Sequence, residues 1–237
     1  MAVFSRRRHQ SGSQSVFLSD RVRRCADAVR RFLYHRRRKG ALATLYPVEK
    51  NQCYFRNGEE KLRIIGGKFR GRVLTGFKGN DIRPTADRVK ESLFNILAPE
   101  IHGANLLDLF CGCGNVGLEA ISRGADYVVF NDVSKDSLAV LRKNLSLLKT
   151  DAKIYNCDFR SLLGSLDMTF DVIYIDPPYK SGFGAEALSI IGERRLLTTG
   201  GVAVFESDKP FEGEIASLVK YDERKYGSTY LTFFTPD

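Results

Sequence analysis

Residues 170–180 read FDVIYIDPPYK, and they set the architecture of the whole chain. The centre of this run, Val172 to Ile175, is short, apolar and rich in β-branched residues, which predicts a strand buried on both faces of a parallel sheet. The strand must end at Asp176, because the two following prolines cannot donate ladder hydrogen bonds and hold φ at about −65°. Ligands of open α/β sheets lie beyond the carboxyl ends of the strands, so this turn is a candidate site. The alternative is an ordinary Pro-Pro turn with a surface Asp.

The residues Asp176, Pro177, Pro178 and Tyr179 suit methyl transfer to a planar exocyclic amine. Such a nitrogen is a weak nucleophile because its lone pair is delocalised into the ring. Hydrogen bonds from the amine to Asp176 and to the Pro177 carbonyl would aim the lone pair and stabilise the developing positive charge. The Tyr179 ring offers a face on which a base can stack. The turn resembles motif IV, (D/N)-P-P-(Y/F/W), of S-adenosylmethionine-dependent amino-methyltransferases. These enzymes act on nucleic-acid bases and on a protein glutamine, so the motif leaves the substrate open.

A glycine-rich loop lies between a predicted strand at 105–110 and a predicted helix. It contains Gly112 and Gly114 in a G-x-G-x-x-G pattern. Glycines let the backbone turn sharply and approach a cofactor closely. The next predicted strand, 127–130, leads to Asp132, which follows Gly112 by twenty positions. An acid at this spacing binds ribose hydroxyls in dinucleotide-binding folds, so the three features together predict a nucleoside-cofactor site.

Helices and strands alternate through the rest of the chain, which predicts a doubly wound α/β domain closed by an antiparallel strand pair. Asp158 follows the third predicted strand. There it would accept a hydrogen bond from an adenine amino group, or it would simply cap the short helix that follows. The predicted elements are helices at 135–148 and up to about 191, strands at 153–156 and 202–206, and closing strands at 218–225 and 229–235.

The composition is that of an ordinary globular protein: 237 residues, of which 43% are hydrophobic and 27% charged. No run reaches the roughly 18 apolar residues that a membrane span requires, so we expect no membrane association. The five cysteines are odd in number and irregular in spacing, which favours a reducing compartment. Cys111-x-Cys113 has no second Cys or His pair at ligand spacing, so we expect no metal site.

The positive charge is concentrated at the N-terminus. Residues 1–50 contain 13 Lys and Arg but 3 Asp and Glu, whereas the whole chain has a net charge of +9. We therefore divide the chain into a basic extension, 1–60, partly disordered with an amphipathic helix from about residue 19 to 39, and a domain at 61–237. Three explanations of the extension stay open: an arm on RNA phosphates, an organelle transit peptide, or upstream sequence from an over-long start assignment.

Two segments of the predicted domain carry cations suited to nucleic-acid phosphates. Residues 61–72 predict a small hairpin around Gly66-Gly67. Within residues 83–97, Thr85 is the predicted N-cap of a helix that has an apolar stripe for the core and ends before Pro99. A solvated hairpin without a ligand is the alternative for the first segment. The candidate substrate-binding residues are Lys61, Arg63, Lys68 and Arg70 in the first segment, and Arg83, Thr85 and Arg88 in the second.

Four runs of sequence closely resemble the RsmD family of bacterial 16S ribosomal RNA guanine-N2 methyltransferases. They are RIIGGKFRGR, RPTADRVKESLFNIL, LLDLFCGCGNVGLEAISRGA and DPPY. The second run is the most specific, because the glycine loop and motif IV are shared with many methyltransferases. The resemblance implies a class I, Rossmann-like methyltransferase fold with a seven-stranded, mostly parallel sheet. It also implies S-adenosyl-L-methionine as cofactor and one guanine of 16S rRNA as target, within free RNA or a 30S particle. A cytoplasmic, bacterial monomer is expected on this basis.

The resemblance also assigns residues. By position, Gly112, Gly114 and Asp132 hold the cofactor, together with Asp108 and Phe110 on the strand before the loop. Asp158 and Phe159 match the adenine-binding segment, and Asp176 to Tyr179 match the catalytic turn, where a flipped guanine would rest on Tyr179. Cys111 and Cys113 replace the family's usual Ala and Ser, and the residues before Lys61 have no counterpart in it.

Three other functions explain the sequence motifs less well. An adenine-N6 methyltransferase shares DPPY but normally carries a target-recognition insertion, and the intervals here are short. A dehydrogenase would use the glycine loop and Asp132 but leaves DPPY unexplained. A catalytically inactive RNA-binding or assembly factor would be expected to have lost the glycine loop or motif IV, and both look intact.

Overall fold

The computed structural model describes residues 62–76, 84–178 and 181–237, with the backbone alone at 84–86. The basic extension and its predicted helix lie outside these residues, as do Lys61, Arg83 and Tyr179. No helix in the described part of the chain is long and apolar enough to cross a membrane.

A seven-stranded sheet forms the centre of the domain, with strand order β3-β2-β1-β4-β5-β7-β6. Strands β1 to β5 are parallel to one another, and β7 runs antiparallel between β5 and β6. This confirms the predicted mostly parallel sheet with its closing hairpin. The strands are β1 (Asn105–Asp108), β2 (Tyr127–Asn131), β3 (Lys153–Tyr155), β4 (Phe170–Ile175), β5 (Leu197–Ser207), β6 (Leu218–Tyr226) and β7 (Thr229–Pro236).

Strand β4 is buried on both faces, as its apolar run predicts. Val172 and Tyr174 belong to one hydrophobic cluster, while Ile173 and Ile175 belong to the cluster on the other face of the sheet. Successive side chains of a strand point to opposite faces, so one short run contributes to both. β1 pairs with β4 on one side and with β2 on the other. The strands that follow β1 in sequence are added first on the β2 side and then on the β4 side, so the strand order reverses at β1. Such a switch point is where open α/β sheets bind ligands.

Helices cover the sheet. The described helices are α1 (Pro84–Ile96), α2 (Ala98–Ile101), α3 (Asn115–Ser122), α4 (Lys135–Leu148), α5 (Phe159–Ser165) and α6 (Phe183–Glu193). The predicted bounds of α4 match the structure, because the Ser134 hydroxyl caps its first turn and Lys149 ends it in a left-handed conformation. The prediction that Thr85 caps α1 is wrong: the helix already begins at Pro84, whose fixed φ suits a first helical position.

The predicted hairpin at 61–72 is present, with arms too short to count as strands. Arg63 and Val73 form an antiparallel bridge, flanked by hydrogen bonds from Ile64 N to the Arg72 carbonyl at 2.9 Å and from Leu74 N to the Leu62 carbonyl at 2.7 Å. The turn between the arms contains a 3₁₀ helix, Gly67–Phe69. The segment does not need long strands, because side chains of the domain satisfy its backbone: Ile65 N donates to Glu119 at 2.8 Å and Phe69 N to Ser122 at 2.9 Å. Residues 62–76, hereafter the basic segment, therefore lie on helix α3.

Candidate active site

Gly112 lies in the loop between β1 and α3, where the backbone is open to a ligand. Its φ is +53°, and a Cβ placed there would have no atom within 4 Å. The Gly112 N–H donates to Asp132 Oδ2 at 2.8 Å, which fixes the loop against the end of β2. A loop without a side chain beside open space is the geometry that lets a backbone approach a cofactor.

Gly114 is required for a different reason than its sequence position suggests. We expected a side chain here to obstruct the cofactor. Instead, a Cβ would lie 2.4 Å from Leu141 Cδ1 and 3.2 Å from Leu118 Cδ1, and φ is +87°. Gly114 therefore leaves room for the packing of α3 against α4.

Asp132 lies at the end of β2, where an acid for ribose hydroxyls is expected. It is half-buried, and its Oδ1 accepts the Ser134 N–H at 2.8 Å. Each carboxylate oxygen has a second acceptor position, so both can still receive a ribose hydroxyl. The next residue, Val133, is 75% exposed and was missed by the sequence analysis. A largely exposed valine beside this acid offers an apolar face for a base, and its position directly after Asp132 was the available signal.

Asp108 is buried behind the loop rather than at its surface. It is 2% exposed, and its Oδ2 accepts the Gly117 N–H at 2.9 Å, which holds the first turn of α3. Burial raises the pKa of Asp108 to about 7, with the Gly117 hydrogen bond opposing that rise and Asp132 adding to it. This geometry favours a supporting role for Asp108 over the direct cofactor contact that we predicted.

The adenine-binding candidates form an aromatic group at the start of α5. Phe159 is buried between Phe110, with ring centroids 5.2 Å apart, and Phe183, at 5.3 Å. Asp158 caps the helix: its Oδ1 accepts the Arg160 N–H at 2.9 Å. The capping alternative for Asp158 is therefore present, although half of its side chain remains exposed to a ligand.

Asp176 has the properties expected of the reacting carboxyl. It is half-buried, and among the described residues no hydrogen bond or ion pair involves its side chain. Burial, followed by the charges of Glu206 and Asp108, raises the pKa of Asp176 well above its usual range. The Pro178 carbonyl accepts from Ser181 Oγ at 2.7 Å, whereas the described residues offer no donor to the Pro177 carbonyl. Two acceptors of motif IV are thus available to an amine.

Glu206, at the end of β5, is a site residue that the sequence analysis placed in a strand but did not single out. Ile175 pairs with Phe205, so Asp176 and Glu206 follow at neighbouring strand ends. The Tyr174 hydroxyl donates to Glu206 Oε2. Burial raises the pKa of Glu206, and this hydrogen bond opposes the rise. The available signal was an acid at the carboxyl end of a parallel strand.

The substrate-binding candidates that the structure describes lie on the basic segment and on helix α1. Lys68, Arg70 and Arg88 are exposed, and Arg63 forms an ion pair of 3.1 Å with Asp87. The Thr85 side chain and the residues Lys61 and Arg83 lie outside the part of the chain that the structure describes. In residues 62–76, 84–178 and 181–237, no three His, Cys, Asp or Glu side chains are grouped to hold a metal ion.

Comparison with known proteins identifies the family. A family model described as Conserved hypothetical protein 95 matches residues 62–235, almost the whole predicted domain. This chain belongs to that family, the RsmD family of methyltransferases. Ribosomal RNA small subunit methyltransferase D of Haemophilus influenzae is 37% identical over 158 residues, which are 65% of this chain and 82% of the relative. Its Escherichia coli K12 counterpart is 36% identical over 153 residues, 64% of this chain and 77% of that one.

Solved structures agree with this RsmD assignment. The Escherichia coli protein yhhF has a TM-score of 0.69 at 32% identity, over 75% of this chain and 99% of that chain. The Thermus thermophilus 16S rRNA N2 G1207 methyltransferase RsmC, solved with AdoMet and guanosine, has a TM-score of 0.56 at 21% identity. The similarity covers 75% of this chain and 50% of the RsmC chain. At this identity it shows only that the two proteins share a fold. The predicted family and methyltransferase fold are confirmed.

Proposed function

We propose that this RsmD-family enzyme transfers a methyl group from S-adenosylmethionine to the exocyclic N2 amine of a guanine in 16S rRNA. The observation that carries the proposal is the adjacency of β1 and β4 at the centre of the sheet. The glycine loop, Asp132, Asp176 and Pro177 all follow the carboxyl ends of parallel strands, so they lie at the same end of the sheet. The glycine loop and a carboxyl that no described residue pairs with thus lie together at the switch point.

The residues at this edge fit the cofactor. Gly112 leaves space beside its backbone, Asp132 presents carboxylate oxygens for ribose hydroxyls, and Val133 presents an exposed apolar face for adenine. When bound, the cofactor supplies a methyl group on a positively charged sulfur. Because the described residues include no cation paired with Asp132 or Asp176, nothing in them competes for these carboxylates.

Asp176 would orient the amine for attack and could then accept the proton that the methylated nitrogen releases. Its carboxylate and the Pro177 carbonyl each accept an N–H, which leaves the nitrogen lone pair directed at the methyl donor. The nitrogen becomes acidic once methylated, and its proton passes to water or to Asp176. The raised pKa of Asp176 makes this carboxylate a better proton acceptor than an exposed Asp, without requiring a separate strong base.

The finer features of the substrate are also part of the proposal. We infer that the target lies in a 30S particle or assembly intermediate, and that the enzyme acts as a cytoplasmic monomer. The exposed Lys68, Arg70 and Arg88 support binding to RNA phosphates, because side chains of this type contribute a salt-dependent, sequence-independent affinity.

Substitution at motif IV tests this function. Asp176→Ala should lower turnover by about 100-fold or more while cofactor affinity is retained, because the lost hydrogen bond forms with the reacting amine. Tyr179→Ala should also impair turnover, and Tyr179→Phe should do so less because stacking survives. The measurements are methyl transfer to 30S particles, nucleoside mass spectrometry and cofactor calorimetry. Asp167→Ala, at an exposed acid before β4, is the matched control. A fully active Asp176→Ala enzyme, or a product other than N2-methylguanosine, would contradict the proposal.

A further inference from the structure

Two acidic residues, Asp176 and Glu206, lie at neighbouring strand ends, and neither is paired with a cation among the described residues. β4 and β5 are parallel and pair in register up to Ile175 and Phe205, so Asp176 and Glu206 occupy corresponding positions just beyond this pair. In the described part of the chain no Lys or Arg forms an ion pair with either carboxyl. Buried polar groups are normally hydrogen-bonded, so a half-buried acid pair of this kind indicates that a ligand supplies the donors.

Tyr174 holds one of the two acids in place. It is 4% exposed, and its hydroxyl donates to Glu206 Oε2. Burial, then the charges of Glu206 and Asp176, raises the pKa of Tyr174 well above its usual range, so the phenol stays protonated and keeps donating. No described donor reaches the other oxygen, Glu206 Oε1. Glu206 is therefore a fixed carboxyl group with one acceptor oxygen left for a ligand.

A cavity of about 420 Å³ connects Glu206 to motif IV. It is lined by Pro177, Pro178 and Glu206 and by the start of the loop that follows β5. This volume lies within the range of small-molecule sites, and it accommodates a single extruded base. Apart from Lys209, the charged residues of the lining are acidic, so the cavity suits hydrogen-bond donors better than phosphate.

The nucleobases differ in what they would present to such a pair of acids. The Watson–Crick edge of guanine carries two neighbouring donor groups, N1–H and the N2 amine. Adenine and cytosine each place an acceptor nitrogen beside their amine, and that nitrogen would face a carboxylate with like polarity. Only guanine combines a methylatable exocyclic amine with a second donor next to it.

We propose that Glu206 is the specificity-determining residue of this enzyme: its Oε1 accepts the guanine N1–H while Asp176 accepts from the N2 amine, and Tyr174 is the positioning residue that holds Glu206. The inference rests on the proposed function and extends it from the reacting group to the choice of base. Burial raises the pKa of both acids, and the charge of Glu206 raises the pKa of Asp176 further, so donors from the base would offset this cost.

The test compares two bases at the target position, once N2-methylguanosine formation by the wild-type chain has located it. One 30S substrate carries guanine there, and the other carries 2-aminopurine, which retains the amine but has an acceptor at N1. The wild-type kcat/KM should be about 10- to 100-fold lower for 2-aminopurine, as expected for a charged hydrogen bond replaced by a repulsive contact. Glu206→Gln presents an amide that can donate to N1. It should lose activity on guanine and retain it on 2-aminopurine, so that the two rates come within a few fold.

Controls separate specificity from stability and from the proposed function itself. Glu214→Gln, at an exposed acid after the same strand, should keep the wild-type preference. Tyr174→Phe, which removes the anchor and leaves the carboxyl, should weaken the preference in the same direction as Glu206→Gln. If Glu206→Gln lowers both rates equally or keeps the full preference for guanine, the assignment of Glu206 is overturned and the methyltransferase function stands. If the wild type makes no N2-methylguanosine, the proposed function fails instead.

Discussion

At the scale of single residues, the glycine loop contains two glycines with different physical requirements. Gly112 leaves space open beside its backbone, whereas Gly114 leaves room for the Leu141 side chain. The sequence pattern alone treats them as equivalent, because both belong to the same motif. The distinction decides what a substitution at each position would change.

Gly112→Ala should weaken cofactor binding with a stability loss of about 1–2 kcal/mol, the cost of a left-handed non-glycine residue. Gly114→Ala should lower the free energy of unfolding by about 2–5 kcal/mol, because its methyl group adds a steric clash to the same backbone strain. Urea denaturation and S-adenosylmethionine calorimetry on both variants check this. A Gly114→Ala protein as stable as the wild type would show that the clash with Leu141 does not occur.

At the scale of elements, the basic segment and the glycine loop are joined at two places. Lys90 Nζ donates to the Arg63 carbonyl and to Asn115 Oδ1, both at 2.7 Å. Asn144 Nδ2 donates to the Thr75 carbonyl at 3.0 Å and to the Cys113 carbonyl at 3.1 Å. Two buried side chains thus connect a candidate RNA-binding segment to the loop that would hold the cofactor.

Removing one connection should therefore affect both partners. Asn144→Ala leaves three backbone groups without these hydrogen bonds, counting the Thr75 N–H at 2.7 Å from Oδ1. It should lower the free energy of unfolding by about 2–4 kcal/mol and weaken cofactor binding, because three hydrogen bonds, each contributing about 1 kcal/mol net, are lost. Ser146→Ala is the control, since that exposed hydroxyl bonds only within α4. Unchanged cofactor affinity in a destabilised Asn144→Ala protein would show that the connection is structural only.

At the scale of the whole molecule, charge and family resemblance occupy different parts of the chain. Residues 1–50 hold 13 of the 37 Lys and Arg and only 3 of the 28 Asp and Glu, whereas the family match begins at residue 62. The positive excess therefore lies outside the segment on which the methyltransferase fold depends.

We predict that a chain beginning near Gln52 folds, binds cofactor and methylates guanine N2. If the arm lies on RNA, its removal should weaken substrate binding most at low salt, because each phosphate contact contributes a salt-dependent term. A transit peptide or misassigned start predicts the same salt dependence with and without the arm. Methylation of 30S particles by both chains across a salt series distinguishes these explanations. Failure of the shorter chain to fold would place the domain boundary further upstream.

The amino-acid sequence by itself determined the elements and the reaction type. The apolar run before Asp176 and the helix at 135–148 are local patterns, and the glycine loop is linked to Asp132 by a spacing of twenty positions. Local hydrogen bonding and hydrophobic periodicity are sufficient for such features, so the α/β class and the candidate methyltransferase site could be predicted without a structure.

Only the tertiary structure decided which residues distant in sequence become neighbours. Glu206 becomes the neighbour of Asp176 through the register of β4 and β5, Gly114 meets Leu141 through helix packing, and Asp108 is placed behind the loop. Register and packing depend on the whole core, because a strand is positioned by the side chains of every layer that contacts it. No periodicity within one segment contains that information, which is why the acid pair appears only once the sheet is assembled.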